Sequence, residues 1–325
     1  MTEDDLVAAI ARLTARSDSR ILVGIGDDAA VWQPSRSARS VITTDMLVEN
    51  VHFSFAYMSY EDAGWRAMAA NASDLAAMGA RGVLATIAFG VPDGASEDAI
   101  LAWYRGMDAC ARRAGIEIAG GDLSRSPVWS VAITVVGEVR PSNLTCRSGA
   151  RPGDVFAVTG MLGASRAGLL ALQKKVSLAD DLQAQAVAAH VRPHARVREG
   201  RFLAASRSVR AMMDCSDGLS TDAGRLARAS GVGIRIESVP VAPPAEEAAQ
   251  QLGEEPATFA LAGGEDFELL VAVEARAFAH VARRFSARFG RPLFRVGVMQ
   301  ADERVVVVKQ GREEPLTRSG WDHFS

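Results

Sequence analysis

Apolar residues along the chain follow two periods in turn. Short strand-like runs, Ser40 to Thr44, Val83 to Phe89 and Val128 to Val139, are separated by stretches with helical spacing, Glu61 to Met78 and Glu97 to Arg113. Ser59 and Ser96 stand where N-caps belong, and Gly79 and Gly115 follow where a left-handed cap would end each helix. The opening MTEDDLVAAIARLTAR has the spacing of an amphipathic helix. The first half therefore reads as one α/β unit. From Arg140 to Gly153, turn formers replace periodic apolar residues, which sets the expected boundary between an N-terminal domain (1–140) and a C-terminal domain (141–325). The pattern then restarts with a strand over Asp154 to Thr159, helices between Ala164 and Ser206, a strand ending at Asp214 and a helix from Ser220 to Ser230. Further strands are expected near Ile234, Leu269, Phe294 and Val305, and Pro240 to Pro256 reads as a polar surface insertion with one short helix. The expected class is α/β or α+β in two domains.

Composition narrows the function. A chain of 325 residues with 48% hydrophobic content can bury a sizeable core, and a net charge of −3 supplies no basic field for nucleic acid. No run reaches the ~20 apolar residues of a membrane span, and no basic segment leads into an apolar one at the start, so a cytoplasmic, membrane-free protein is expected. Cys110, Cys146 and Cys215 are widely spaced and form no CxxC, which suits a reducing compartment and indicates neither a disulfide framework nor a thiolate zinc site. Lysine occurs only at Lys174, Lys175 and Lys309, none after a glycine, which excludes a Walker loop. HExxH, GxSxG and the HRD and DFG signatures are absent as well.

What the chain does carry is carboxylate in small-residue segments read as turns at strand ends: GIGDDAA, TTDM, NASDLAAMGA, AGGDLS, MDCSDGLS and LAGGEDFELL. Oxygen ligands of this kind suit a hard cation such as Mg²⁺, which commonly shares them with substrate phosphates. Each segment alone also has a structural reading. Asp27 and Asp28 suit a loop in which an Asp caps its own turn, Asp217 the N-cap region of the next helix, Asp74 a solvated helix face, and Asp45 and Asp122 the start of a turn. The spacing leaves open which member of Asp27/Asp28 and of Glu265/Asp266 is structural. Six segments with one logic across both halves favour the chemical reading.

In order, GIGDDAAV, ITTDMLVENVHF, NASDLAAMGA, GGDLSR, RSGARPGD, MDCSDGLSTD, AGGEDFEL and WDHF resemble the thiamine-monophosphate kinases, over nearly the whole chain. These belong to a superfamily with aminoimidazole ribonucleotide synthetase, selenophosphate synthetase and a hydrogenase maturation protein. The resemblance implies a homodimer in which N-terminal strands of two subunits join in a barrel, with ATP and thiamine monophosphate bound in the cleft between the domains. It implies magnesium ligation by Asp28, Thr43, Thr44, Asp45, Asp74, Asp122, Asp214 and Asp217. ATP contacts are implied at Gly121, Asp122, Arg147 and Ser216, and thiamine monophosphate contacts at His52, Glu265 and Trp321. No residue is implied as acid, base or nucleophile. Among the siblings, selenophosphate synthetase needs a reactive Cys near its N-terminus, yet none precedes Cys110, and the hydrogenase maturation protein ends in a cysteine-bearing tail where this sequence has WDHFS. The alternatives are an aminoimidazole ribonucleotide synthetase-like enzyme and a nucleotide- or metal-binding protein without turnover.

Overall fold

A computed structural model describes residues 3–15, 20–27, 29–316 and 320. They form two compact units, Met1–Leu75 with Ala80–Pro141, and Ala76–Gly79 with Ser142–Ser325. Each is a mixed α/β unit.

The first unit runs α1 (Glu3–Thr14), β1 (Ile21–Val23), β2 (Val31–Trp32), β3 (Arg39–Val48), α2 (Tyr60–Ala77), β4 (Arg81–Val91), α3 (Glu97–Ala114), β5 (Glu117–Arg125) and β6 (Ser130–Val139). Helix α1 buries Leu6 and Ile10, four residues apart on one face. Helix α3 begins where its sequence signals say: Ser96 accepts the Ala99 N–H, and Gly115 ends it at φ 72°. The main sheet has the order β3-β6-β4-β5, antiparallel except for the β4–β5 pair, which α3 connects.

Register gives this sheet two distinct faces. Met46, Ala132, Ala88 and Asp122 lie in one row, and Thr44, Thr134, Thr86 and Gly120 in the next row on the same side. Asp45, Ile133, Ile87 and Gly121 form the intervening row on the opposite side. That opposite side is covered. Ile133, Ile87 and Phe89 are buried there, and Trp103 of α3 sits 5.2 Å from Phe89 and 5.2 Å from Phe53, ring centre to ring centre. The other side is open: Ile42 is 67% and Met46 57% exposed.

Two strand ends fall later than the sequence suggests. Asp45 lies inside β3 rather than at its end, and Asp122 lies inside β5 rather than in a turn. The cause in β3 is an inverted pattern, with apolar Ile42 and Met46 on the open side and polar Thr43 and Asp45 on the covered side. In β5 the Gly120-Gly121 pair is tolerated because the strand is an edge bonded only to β4. At Gly121 a side chain would collide with the Ile87 carbonyl, so the close approach of the two strands requires glycine.

The second unit comprises β7 (Val155–Val158), α4 (Ala164–Leu172), α5 (Asp180–Val191), α6 (Val197–Ala204), β8 (Val209–Cys215), α7 (Leu219–Ser230), β9 (Gly233–Ile236), α8 (Pro243–Leu252), α9 (Pro256–Ala262), β10 (Glu268–Val273), α10 (Ala275–Phe289), β11 (Phe294–Gln300), β12 (Val305–Lys309) and β13 (Arg312–Pro315). Its seven-stranded sheet has the order β13-β12-β9-β11-β7-β10-β8, with β9–β12 the parallel pair. Every residue of β7 and β10 is buried. One core cluster joins these strands to α7 and α9 through Phe156, Leu270, Leu226 and Leu261. The Pro240–Pro256 segment is not a surface insertion. Ala245, Ala248 and Ala249 of α8 form a buried stripe that packs on Phe259, Val176 and Leu178.

Candidate functional site

In the first unit the covered side of β3 meets the NASD stretch of α2. Asn71 and Asp74 are three residues apart and so share a helix face. The Thr43 hydroxyl donates to Asp74 Oδ2, and the Asp45 N–H donates to Asn71 Oδ1 at 3.1 Å. Asn71 is anchored in turn, its Nδ2 donating to the Ala67 carbonyl at 3.1 Å. Thus Thr43, Asp45 and Asp74 come together. Thr44 and Asp122 lie on the open side instead. Thr134 donates to Thr44 Oγ1 at 3.2 Å, and Ser124 Oγ donates to Asp122 Oδ2 at 2.8 Å. Gly121 adjoins Asp122 on the exposed edge strand. His52 follows β3 in a tight turn whose Val48 N–H donates to its Nδ1 at 3.1 Å; the neutral ring therefore carries its proton on Nε2.

In the second unit two loops are zipped together beside the end of β8. The Glu265 N–H donates to the Ser216 carbonyl at 2.7 Å, and the Phe267 N–H to the Cys215 carbonyl at 3.0 Å. Glu265 has a left-handed backbone, φ 66°, a conformation that a side chain disfavours and that the flanking bonds hold. Asp266 is the structural member of its pair. Its carboxylate accepts the Gly163 N–H at 2.6 Å and the Ser165 N–H at 3.1 Å, closing the start of α4. Burial pushes its carboxyl up to about 7, against the opposing pull of those two N–H donors.

Asp214 is buried in β8, paired with Leu269. Asp217 precedes α7 and is engaged by the Arg225 guanidinium; its own N–H donates to Asp222 Oδ2 at 2.9 Å. Arg225 also donates to Asp222 Oδ1 at 2.8 Å, and burial raises the Asp222 carboxyl to about 6. A side chain at Gly320 would collide with the Asp217 carbonyl, so Gly320 lies directly against this loop. Asp214, Ser216, Asp217 and Glu265 therefore share one region. Arg147 lies elsewhere in the unit: its carbonyl accepts the hydroxyl of Ser230, at the far end of the 12-residue helix α7, roughly 18 Å long. Asp28 and Trp321 lie outside the described residues.

Among the described residues, no three His, Cys, Asp or Glu side chains gather as a ready-made metal cage. What gathers is small sets of hard oxygens, Thr43 with Asp74 and Ser124 with Asp122. Such sets fit Mg²⁺, which is commonly held by one or two carboxylates and completes its shell with water and phosphate oxygens. Sequence reasoning gave no separate part to Asn71, Asp222 or Arg225. Their signal is helical spacing from the motif aspartates: Asn71 is three before Asp74, and Arg225 three after Asp222.

Two family matches span most of the chain: AIR synthase related protein, N-terminal domain, over residues 26–139, and AIR synthase related protein, C-terminal domain, over residues 151–310. The thiamine-monophosphate kinase of Bacillus subtilis is 34% identical over 332 residues, covering 100% of both chains. The crystal structure of thiamine-monophosphate kinase from Stenotrophomonas maltophilia superposes with a TM-score of 0.84 at 34% identity, covering 96% of this chain and 98% of that one. The structure of AaThiL complexed with AMPPCP and TMP gives 0.78 at 30% identity, covering 99% and 97%.

Proposed function

The chain belongs to the thiamine-monophosphate kinase family of AIR synthase related proteins, and on that premise we propose that it transfers the terminal phosphoryl group of ATP to thiamine monophosphate, giving thiamine diphosphate and ADP. The observation that carries this reading is its end-to-end similarity to the AaThiL complex, which holds AMPPCP and TMP together.

The acceptor is a phosphate whose second pKa is about 6, so its attacking oxygen is anionic at neutral pH and needs no general base. The obstacle is repulsion between two phosphate groups. Magnesium, when bound, would supply the positive charge that offsets this repulsion. In our reading Asp28, Asp45, Asp74, Asp122, Asp214 and Asp217, with Thr43 and Thr44, would hold several magnesium ions. Asp217 does so while paired with Arg225. Gly121, Asp122, Arg147 and Ser216 contact ATP, Gly121 through backbone that no side chain obstructs. Glu265 sets a carboxylate against the cationic thiazolium, His52 offers its Nε2–H, and Trp321 stacks on a ring of the substrate. Transfer is direct, with no phosphoenzyme.

Within this reading the N-terminal part (1–140) binds metal and ATP and dimerises, while the remainder completes the site. The open side of the β3-β6-β4-β5 sheet supports a homodimer whose strands join in an intersubunit barrel, since Ile42 and Met46 otherwise leave apolar surface in water. No helix among the described residues is long and apolar enough to cross a membrane. We infer that the reaction runs in the cytoplasm, where ATP is available.

The test is an incubation of purified protein with ATP, MgCl₂ and thiamine monophosphate, with products separated by chromatography. Thiamine diphosphate should form, and excess EDTA should abolish both its formation and ATP binding. ATP turnover without thiamine diphosphate would overturn the substrate assignment, and undiminished ATP affinity in EDTA would overturn the metal-bridged site.

A further inference from the structure

We infer that His190 is a positioning residue for Glu265, fixing the carboxylate that the preceding reading sets against the thiamine moiety; the inference rests on that reading. His190 lies in the last turn of α5 and is 2% exposed, whereas the Glu265 side chain is 36% exposed. One imidazole atom serves two neighbours. Nδ1 is 3.1 Å from Ser165 Oγ and 3.9 Å from Glu265 Oε2.

Ser165 makes the arrangement a chain of supports. Its N–H donates to Asp266 Oδ1 while its hydroxyl meets His190, so one residue at the start of α4 links the carboxylate of Asp266 to the imidazole facing Glu265. Glu265 is then held at three points: its N–H on the Ser216 carbonyl, the next residue's carboxylate on α4, and its own carboxylate opposite His190. The first two fix the left-handed backbone. They leave the side-chain torsions unset, and a half-exposed glutamate has several rotamers to choose from. The buried imidazole selects among them by standing 3.9 Å from Oε2 and limiting where the carboxylate can turn. A carboxylate so oriented meets a cationic ring without first being ordered, which lowers the cost of binding that ligand.

The test is a set of variants assayed for both substrates. His190→Ala should raise the KM for thiamine monophosphate roughly fivefold and leave that for ATP within about twofold. His190→Asn, whose amide reproduces the Nδ1 position, should recover most of the loss. In a Glu265→Ala background, His190→Ala should add nothing, because the group it orients is gone. Equal rises in both KM values, or additive effects in the double variant, would overturn the positioning role. A Glu265→Ala protein with an unchanged KM for thiamine monophosphate would instead overturn the reading of Glu265, and the inference with it. Should His190→Ala fail to fold, Ser165→Ala probes the same support with less lost volume; it should raise the same KM, and an unaltered value would count against the proposal.

Discussion

Strands β3 and β10 both carry a carboxylate, and they treat it in opposite ways. In β10 all six residues are buried, and Glu268 is answered inside its own unit: Arg196 Nη2 donates to it at 2.5 Å, Arg291 Nη1 at 3.2 Å and Thr159 Oγ1 at 2.6 Å. The two guanidinium groups hold its carboxyl below the usual range in spite of burial. In β3 the backbone N–H of Asp45 is held by an amide, and the neighbouring Asp74 accepts from a neutral hydroxyl. The opposite side of the same strand leaves Ile42 and Met46 in water. A buried charge matched by cations belongs to the stability of the fold. A strand with polar residues inward and apolar residues outward belongs, on the proposed function, to what the fold binds on each side.

The comparison can be broken most forcefully at Glu268. Replacing it by alanine takes the shared carboxylate from two half-buried guanidinium groups, of which Arg291 keeps Glu199, and should cost about 3 kcal/mol in urea or thermal unfolding. A loss below about 1 kcal/mol would mean that the pair is solvated rather than structural. The next effect is a pH dependence. Asp266 binds its proton more tightly in the folded protein, at about 7, than an unfolded aspartate does, at 3.8. The folded state therefore holds more protons between those values, and this group makes stability fall as pH rises from about 4 to about 7, by up to ~1.4 kcal/mol per pH unit. The stability difference between Asp266→Asn and the parent, measured across that window, should grow in the variant's favour as pH rises. A flat difference would remove Asp266 as the source.

On the side of β3 and β5, Asp74→Asn and Asp122→Asn should each lower turnover at least tenfold, ~1.4 kcal/mol of barrier, with an unchanged melting temperature. Near-normal rates would take that residue out of the site. The smallest effect is expected at the open side: on the proposal that this side forms a homodimer, Ile42→Asp should raise the dissociation constant of that dimer about tenfold. Sedimentation velocity over a dilution series would show it, and an unaltered constant would mean that another surface holds the subunits together.

The inverted polarity of β3 also explains what could be read from the chain and what could not. Helix α3 is legible end to end because Ser96 and Gly115 are local signals with local consequences. The end of β3 is not, since its alternation runs against the usual assignment of apolar residues to the covered side. Helix α8 hides for a related reason. Its Glu and Gln residues dominate the composition, while its contribution to the core comes from three alanines whose spacing is the only clue. At the site, the motifs bring Thr43 to Asp74 and Ser216 to Glu265, contacts between segments far apart in sequence. The supports of those residues are harder to read. Arg225 is signalled only by its helical spacing from Asp222, whereas His190 stands outside any motif and only the packing of α5 brings it to Glu265.

The order of strands in the two sheets has a consequence for how the protein is made. A nascent chain that has emerged as far as Val139 already contains all four strands of the first main sheet, and β6 can zip between β3 and β4 as soon as it leaves the ribosome. The second sheet has no such early completion. Its interior strand β7 appears first, yet Val158 waits for Leu270 of β10 and Val155 for Val298 of β11. During that interval a strand whose every residue is destined for burial has neither of its partners, so slow elongation across this stretch prolongs the period of greatest risk of aggregation.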